Sequence, residues 1–121
     1  MKHVAAWFEI PVTDIERAMT FYRTVVGADF QRMDMGGMLY ATFAVDPEGI
    51  TGALVQEERL APSFQGTTVY LAAEDVSVPL SKVEAAGGKI VIPKTNIGEN
   101  MGYFAQVVDT EGNRVGLFSM S

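Results

Sequence analysis

The chain contains no cysteine and a single histidine, His3, among its 121 residues. The first absence rules out a disulfide framework, a thiolate metal centre and a cysteine nucleophile. The second leaves no imidazole pair for a metal and confines any Ser-His-Asp arrangement to a residue beside the N-terminus. Apolar runs long enough to span a bilayer are also missing, since about 18 consecutive residues are needed. The first residues show no apolar signal-peptide core with a small-residue cleavage site, so a cytoplasmic protein is expected. Basic residues are scarce, nine against fifteen acidic ones, for a net charge of −6. Nucleic acid is a poor partner for such a chain, because binding it needs a basic footprint to displace counterions. Neither a Gly-rich phosphate loop between strand and helix nor a nucleophile elbow is found.

What is present is an ordinary globular composition, 48% hydrophobic and 20% charged, at a length typical of one domain. An internal repeat organises it. Residues 4–12 read as a strand with Val4, Ala6, Phe8, Ile10 and Val12 on one apolar face. A helix is predicted over 14–26, with Ile15, Ala18, Met19, Tyr22 and Val25 at helical spacing and Thr13 and Glu16 at capping-box spacing. Gly27 stops it. Strands follow near 28–35, 38–45 and 51–56, separated by Gly36-Gly37 and Asp46-Pro47-Glu48-Gly49.

The second half runs in the same order: a strand at 67–73, a helix at 75–86 with Pro79 in its first turn, and Gly87-Gly88 as the stop. Strands near 89–92, 102–108 and 113–119 then follow, the last two joined by Asp109-Thr110-Glu111-Gly112. Asp14 and Gly27 match Asp75 and Gly88 at an offset of 61, and the two Asp-led turns match at 63. The fold class expected is α+β: two tandem βαβββ modules, about 3–58 and 66–120, forming a curved mixed sheet around a central cup within a single domain.

The segment Phe8-Glu9-Ile10-Pro11-Val12-Thr13-Asp14, followed by Ala18, Phe21-Tyr22 and Gly27, resembles the opening of vicinal oxygen chelate proteins. That superfamily includes glyoxalase I, bleomycin-resistance proteins, fosfomycin-resistance enzymes and extradiol dioxygenases. Ala85-Ala86-Gly87-Gly88 and Asp109-Thr110-Glu111-Gly112-Asn113 resemble its closing signature. The likeness covers nearly the whole chain. It implies that each module curls into half a barrel and that two modules enclose the binding site. It also implies ligand positions for a metal, which fall here on Trp7, Ala53, Thr68 and Gly116. Transition metals in such sites need imidazole or carboxylate donors. A metal-ligand-deficient member with no cofactor is therefore expected, without the metal-dependent activities of its relatives.

Strand alternation assigns the faces. With the even positions of the first strand against the helices, Trp7 and Glu9 face the cup. In 67–73 the odd positions Val69, Leu71 and Ala73 are the apolar set, leaving Thr68 and Tyr70 for the cup. Counting back across the hairpins adds Tyr40 and Thr42, then Tyr103 and Ala105; Arg114 and Phe118 share the face of Gly116. The aromatic members suit a flat or cationic organic ligand. A carboxylate between an indole and a proline on an inward face must be paired or neutralised if buried. Glu9 is accordingly the candidate catalytic or cation-contacting residue, with a structural ion pair to Arg114 as the plainer account. Two functions stay open: metal-independent binding of a small aromatic or cationic molecule, as in bleomycin-resistance-type proteins, or a metal-free lyase- or isomerase-type enzyme using Glu9 as general acid/base on a small carbonyl, epoxide or aromatic substrate. The resemblance and the open sheet edges imply a homodimer; no membrane partner is expected. Met33, Met35 and Met38 around Gly36-Gly37 read as edge packing, and Lys94, Asn96 and Asn100 as a connector near the cup mouth.

Overall fold

The computed structural model describes residues 1–121. Its first module runs β1 (Trp7–Pro11), α1 (Ile15–Val26), β2 (Phe30–Met35), β3 (Met38–Phe43) and β4 (Thr51–Gln56). The second repeats the order as β5 (Tyr70–Ala72), α2 (Ser77–Val83), β6 (Lys89–Asn96), β7 (Tyr103–Val108) and β8 (Arg114–Ser119). Each module hydrogen-bonds into its own four-stranded mixed sheet, ordered β1-β4-β3-β2 and β5-β8-β7-β6. The leading strand is parallel to the last strand of its module, and the hairpins are antiparallel. The βαβββ repeat is thus present, and the barrel is not closed. No helix is long and apolar enough to cross a membrane.

Helix α1 forms where its apolar residues fall on one stripe. Ile15, Ala18, Met19, Phe21, Tyr22 and Val25 are buried, and each large side chain removed from water contributes about 1.5–3 kcal/mol. Gly27 ends the helix at φ 70°, a left-handed geometry in which its amide donates to the Arg23 carbonyl and the Ala28 amide to the Tyr22 carbonyl. One apolar core joins both modules: Ile10, Leu54 and Ala41 from the first sheet pack with Val83, Val107 and Leu117 from the second module.

Several expected boundaries shift. The first strand begins at Trp7, and Val4, expected on the helix-facing side, is 94% exposed. Asp14, not Thr13, is the N-cap of α1, accepting from the Arg17 amide at 3.1 Å. The Thr13–Glu16 capping box does not form; Thr13 bonds instead to Glu111 of the second module. Helix α2 is shorter than expected and β6 longer, taking in Pro93–Asn96 of the supposed connector.

Face assignment holds in β1, β3 and β4 and fails in β7. Ala53 pairs with Thr42, eleven positions earlier, whereas Gly116 pairs with Gln106, ten positions earlier. The second hairpin is thus one residue tighter, and with a side-chain period of two a single residue exchanges the faces. Ala105 is therefore buried in the core and Tyr103 packs against it. Phe104 and Gln106 take the cup-side places expected for Tyr103 and Ala105.

Candidate functional site

On the first module, β1 directs Phe8 and Ile10 toward the core and leaves Trp7 and Glu9 on the opposite, exposed side. Ala53 lies beside Glu9 across the β1–β4 pairing, and Thr42 beside Ala53 across β3–β4. Tyr40 follows on the same face, opposite Val55. The Trp7 indole Nε1–H donates to Glu9 Oε2 at 3.2 Å. Partial desolvation, and after it the neighbouring Glu9 carboxylate, raises the pKa of the Tyr40 hydroxyl above its ordinary value. None of the five ion pairs in the chain includes Glu9. The salt bridge to Arg114 is not made, and Glu9 is exposed rather than enclosed.

On the second module the organising residue is Tyr70. Its ring lies across Gly116: a Cβ built there would come within 2.2 Å of Tyr70 Cδ1. The Gln106 side-chain amide donates to the Tyr70 hydroxyl at 2.8 Å, and Phe104 meets the ring edge-on at 6.4 Å between centroids. Tyr70, Ile97, Phe104 and Phe118 line a recess of about 340 Å³. Of these, Ile97 and Phe104 were not legible from strand alternation, Ile97 because it sits in a loop and Phe104 because of the tighter hairpin.

Arg114 stands at the junction. Its Nη2 donates to the Gly66 carbonyl at 3.3 Å, and its guanidinium lies 5.4 Å from the centre of the Phe64 ring. Its Nε is buried without a hydrogen-bond partner. Arg114 and Glu9 line one cavity of about 220 Å³, together with Ser63, Gln65, Thr67 and Asn113. Thr67 and Val69 line it, and Thr68 between them does not. Lys94 does not reach this region either. It salt-bridges Asp75 at 3.0 Å and sits 4.5 Å from the Tyr103 ring centre. Asn96 accepts from the Gly98 amide and orders its own turn.

A residue with no predicted role, Glu111, ties the modules together. Its side chain is fully enclosed. It accepts from the Thr13 and Asp14 amides, both at 2.9 Å, and from Arg17 Nε at 2.7 Å. Burial pushes its pKa up, but the Arg17 guanidinium and the two amides outweigh that and hold it at about 2. Beside it Asp109 accepts from the buried Tyr22 hydroxyl at 2.6 Å. Burial first, then Asp109, drives the Tyr22 pKa well above 10.

The metal positions implied by the resemblance carry an indole, a methyl group, a hydroxyl and no side chain at all. The Gly116 position is filled by the Tyr70 ring. No group of three or more His, Asp or Glu side chains is placed to hold a metal ion. These residues do not fit a transition-metal ion.

Comparison with known proteins agrees with this architecture. Residues 5–44 match the family described as bleomycin resistance protein-like N-terminal. A glyoxylase-like domain-containing protein of Didymella fabae is 31% identical over 110 residues, covering 87% of this chain and 84% of its own. Mycobacterium tuberculosis and Mycobacterium bovis proteins bearing the glyoxylase name CFP32 are 26% identical over 118 residues. The match takes in 93% of this chain but 44% of theirs, so the chain spans about half their length. Among solved structures, TnmS3, an antibiotic binding protein from Streptomyces sp. CB03234, superposes with a TM-score of 0.68 at 25% identity. It covers all of this chain and 98% of its own.

Proposed function

Because this chain belongs to the vicinal oxygen chelate superfamily of glyoxalase- and bleomycin-resistance-like proteins, and its residues do not suit that superfamily's metal, we propose that it binds a small aromatic or cationic organic molecule without a metal ion. The ligand lies against the cup-side face. Trp7, Glu9, Tyr40 and Thr42 receive it from the first module, and Tyr70, Phe104, Phe118 and Arg114 from the second. The protein works as a cytoplasmic homodimer, whose partner covers apolar side chains left open on that side, among them Trp7 at 47% and Met33 at 57% exposure.

One observation carries the reading. Glu9 is a carboxylate with an indole and a phenol beside it and no cation of its own. An ammonium or other cation placed there gains the carboxylate and the electron-rich ring faces together, and cation–π contact alone is worth about 0.5–2 kcal/mol. The antibiotic-binding relative supports a small-molecule role at full-length coverage.

The test uses the chain's only tryptophan, Trp7, as reporter. Titration with phenethylamine is expected to change Trp7 fluorescence saturably. Glu9→Gln, which keeps shape and removes charge, is expected to weaken binding about tenfold, or about 1.4 kcal/mol, without altering the unfolding midpoint. An unchanged affinity in Glu9→Gln would remove Glu9 from the site.

A further inference from the structure

The cavity at the junction of the modules holds two opposite charges that do not neutralise each other. Glu9 enters from β1 and Arg114 from the start of β8, and both line the same space. They do not form an ion pair. Arg114 is also poorly satisfied. Of the five N–H groups a guanidinium offers, its side chain uses one, to the Gly66 carbonyl at 3.3 Å. Its Nε is the sole buried side-chain nitrogen or oxygen in the chain without a partner. Buried polar groups are nearly always hydrogen-bonded, and an exception marks a place where something else supplies the partner.

Phe64 explains why the arginine stays poised. Its ring lies 5.4 Å from the guanidinium carbon and supports one face of the group. The 61–67 segment, with its Ser63 amide bonded to Asn113 Oδ1 at 3.0 Å, forms the wall on that side. The remaining N–H groups are left for an acceptor. Glu9 has the complementary shortage: its neighbours are neutral, the Trp7 indole donating at 3.2 Å and the Tyr40 hydroxyl beside it, and no cation pairs with it. Ser63, Gln65, Thr67 and Asn113 add neutral polar groups to a lining that Ile10, Pro11, Ala61, Val69 and Val115 complete with apolar ones.

We propose that this cavity takes a small zwitterion, a molecule carrying an ammonium group for Glu9 and a carboxylate for Arg114. The inference rests on the cup-side binding reading and narrows its ligand class. An oxyanion completes the arginine, whose planar fork suits a carboxylate. An ammonium completes Glu9 beside the indole and phenol. The volume, about 220 Å³, is below the roughly 300–1,000 Å³ of a drug-sized site, so the ligand is of amino-acid size. A simple cation fills one half and leaves the arginine as it stands; a simple anion leaves Glu9 alone.

Three probes of one shape separate these cases: phenylalanine, phenethylamine and hydrocinnamate, which are a zwitterion, a cation and an anion. Each is titrated against the unmodified protein by Trp7 fluorescence and calorimetry. Phenylalanine is expected to bind at least tenfold more tightly than either of the others. Arg114→Met is expected to bring phenylalanine down to the level of phenethylamine, and Glu9→Gln to that of hydrocinnamate. Because the three-probe ranking needs no substitution, a failure of Arg114→Met to fold does not affect it. Phenethylamine binding as tightly as phenylalanine overturns the inference while leaving cup-side cation binding intact. No saturable response to any of the three overturns both.

Discussion

Glutamate 111 reaches across the module boundary to hold the start of α1, and that makes its protonation a stability switch. Glu111→Gln removes the charge while keeping an oxygen for the Thr13 and Asp14 amides, so the change isolates the interaction with Arg17. Glu111 has a folded-state pKa of about 2 against 4.5 for the free side chain. At about 1.36 kcal/mol per unit, this sets a ceiling of about 3 kcal/mol. Arg17 is half exposed, so solvent screens its part, and about 1–2 kcal/mol is expected at neutral pH. A depressed carboxylate stabilises the fold above its unfolded pKa and loses that contribution as pH falls toward the folded one. The difference between wild type and Glu111→Gln should therefore be full above about pH 4.5 and shrink toward zero near pH 2. Urea unfolding at a series of pH values reads it directly, with the midpoint shifting and the slope constant. A difference that stays the same from pH 7 to pH 2.5, or its absence at pH 7, would refute the clamp.

Two further outcomes follow from the geometry. Gly116→Ala sets a Cβ against the Tyr70 ring, so it should cost about 1–3 kcal/mol through overpacking and break the Tyr70–Gln106 hydrogen bond. Thermal unfolding and the hydrogen-bonded state of the tyrosine check both, and a variant as stable as wild type would show that the ring is free to move. Light scattering at micromolar concentration should give twice the chain mass, since closed two-fold pairs are the commonest assembly; a clean monomer would leave the exposed Trp7 and Met33 without the proposed cover.

How much of this was legible in the sequence depends on where the determining contacts lie. The alternation of Phe8 and Ile10 with Trp7 and Glu9 is local, and a slip of one residue would expose the whole apolar set, so β1 could be read correctly. Gly27 and the helical stripe of α1 are local as well. The face of β7 was not readable, because it turns on a single-residue difference between two hairpins whose Asp-led turns look alike. Glu111 and Glu48 occupy equivalent places in those turns, yet only Glu111 meets a helix start from the other module; that depends on how the modules pack. The segment 61–67 was also silent. Its irregular backbone has no periodicity from which to infer that Phe64 would back Arg114.

The central claim is that this member of a metal-using superfamily binds its ligand without a metal. The most direct measurement is the Trp7 titration with phenethylamine in excess chelator, repeated after addition of zinc, nickel or manganese. The account predicts one affinity under all these conditions, lost in part with Glu9→Gln. Binding that vanishes in chelator and returns with one of the metals would contradict it.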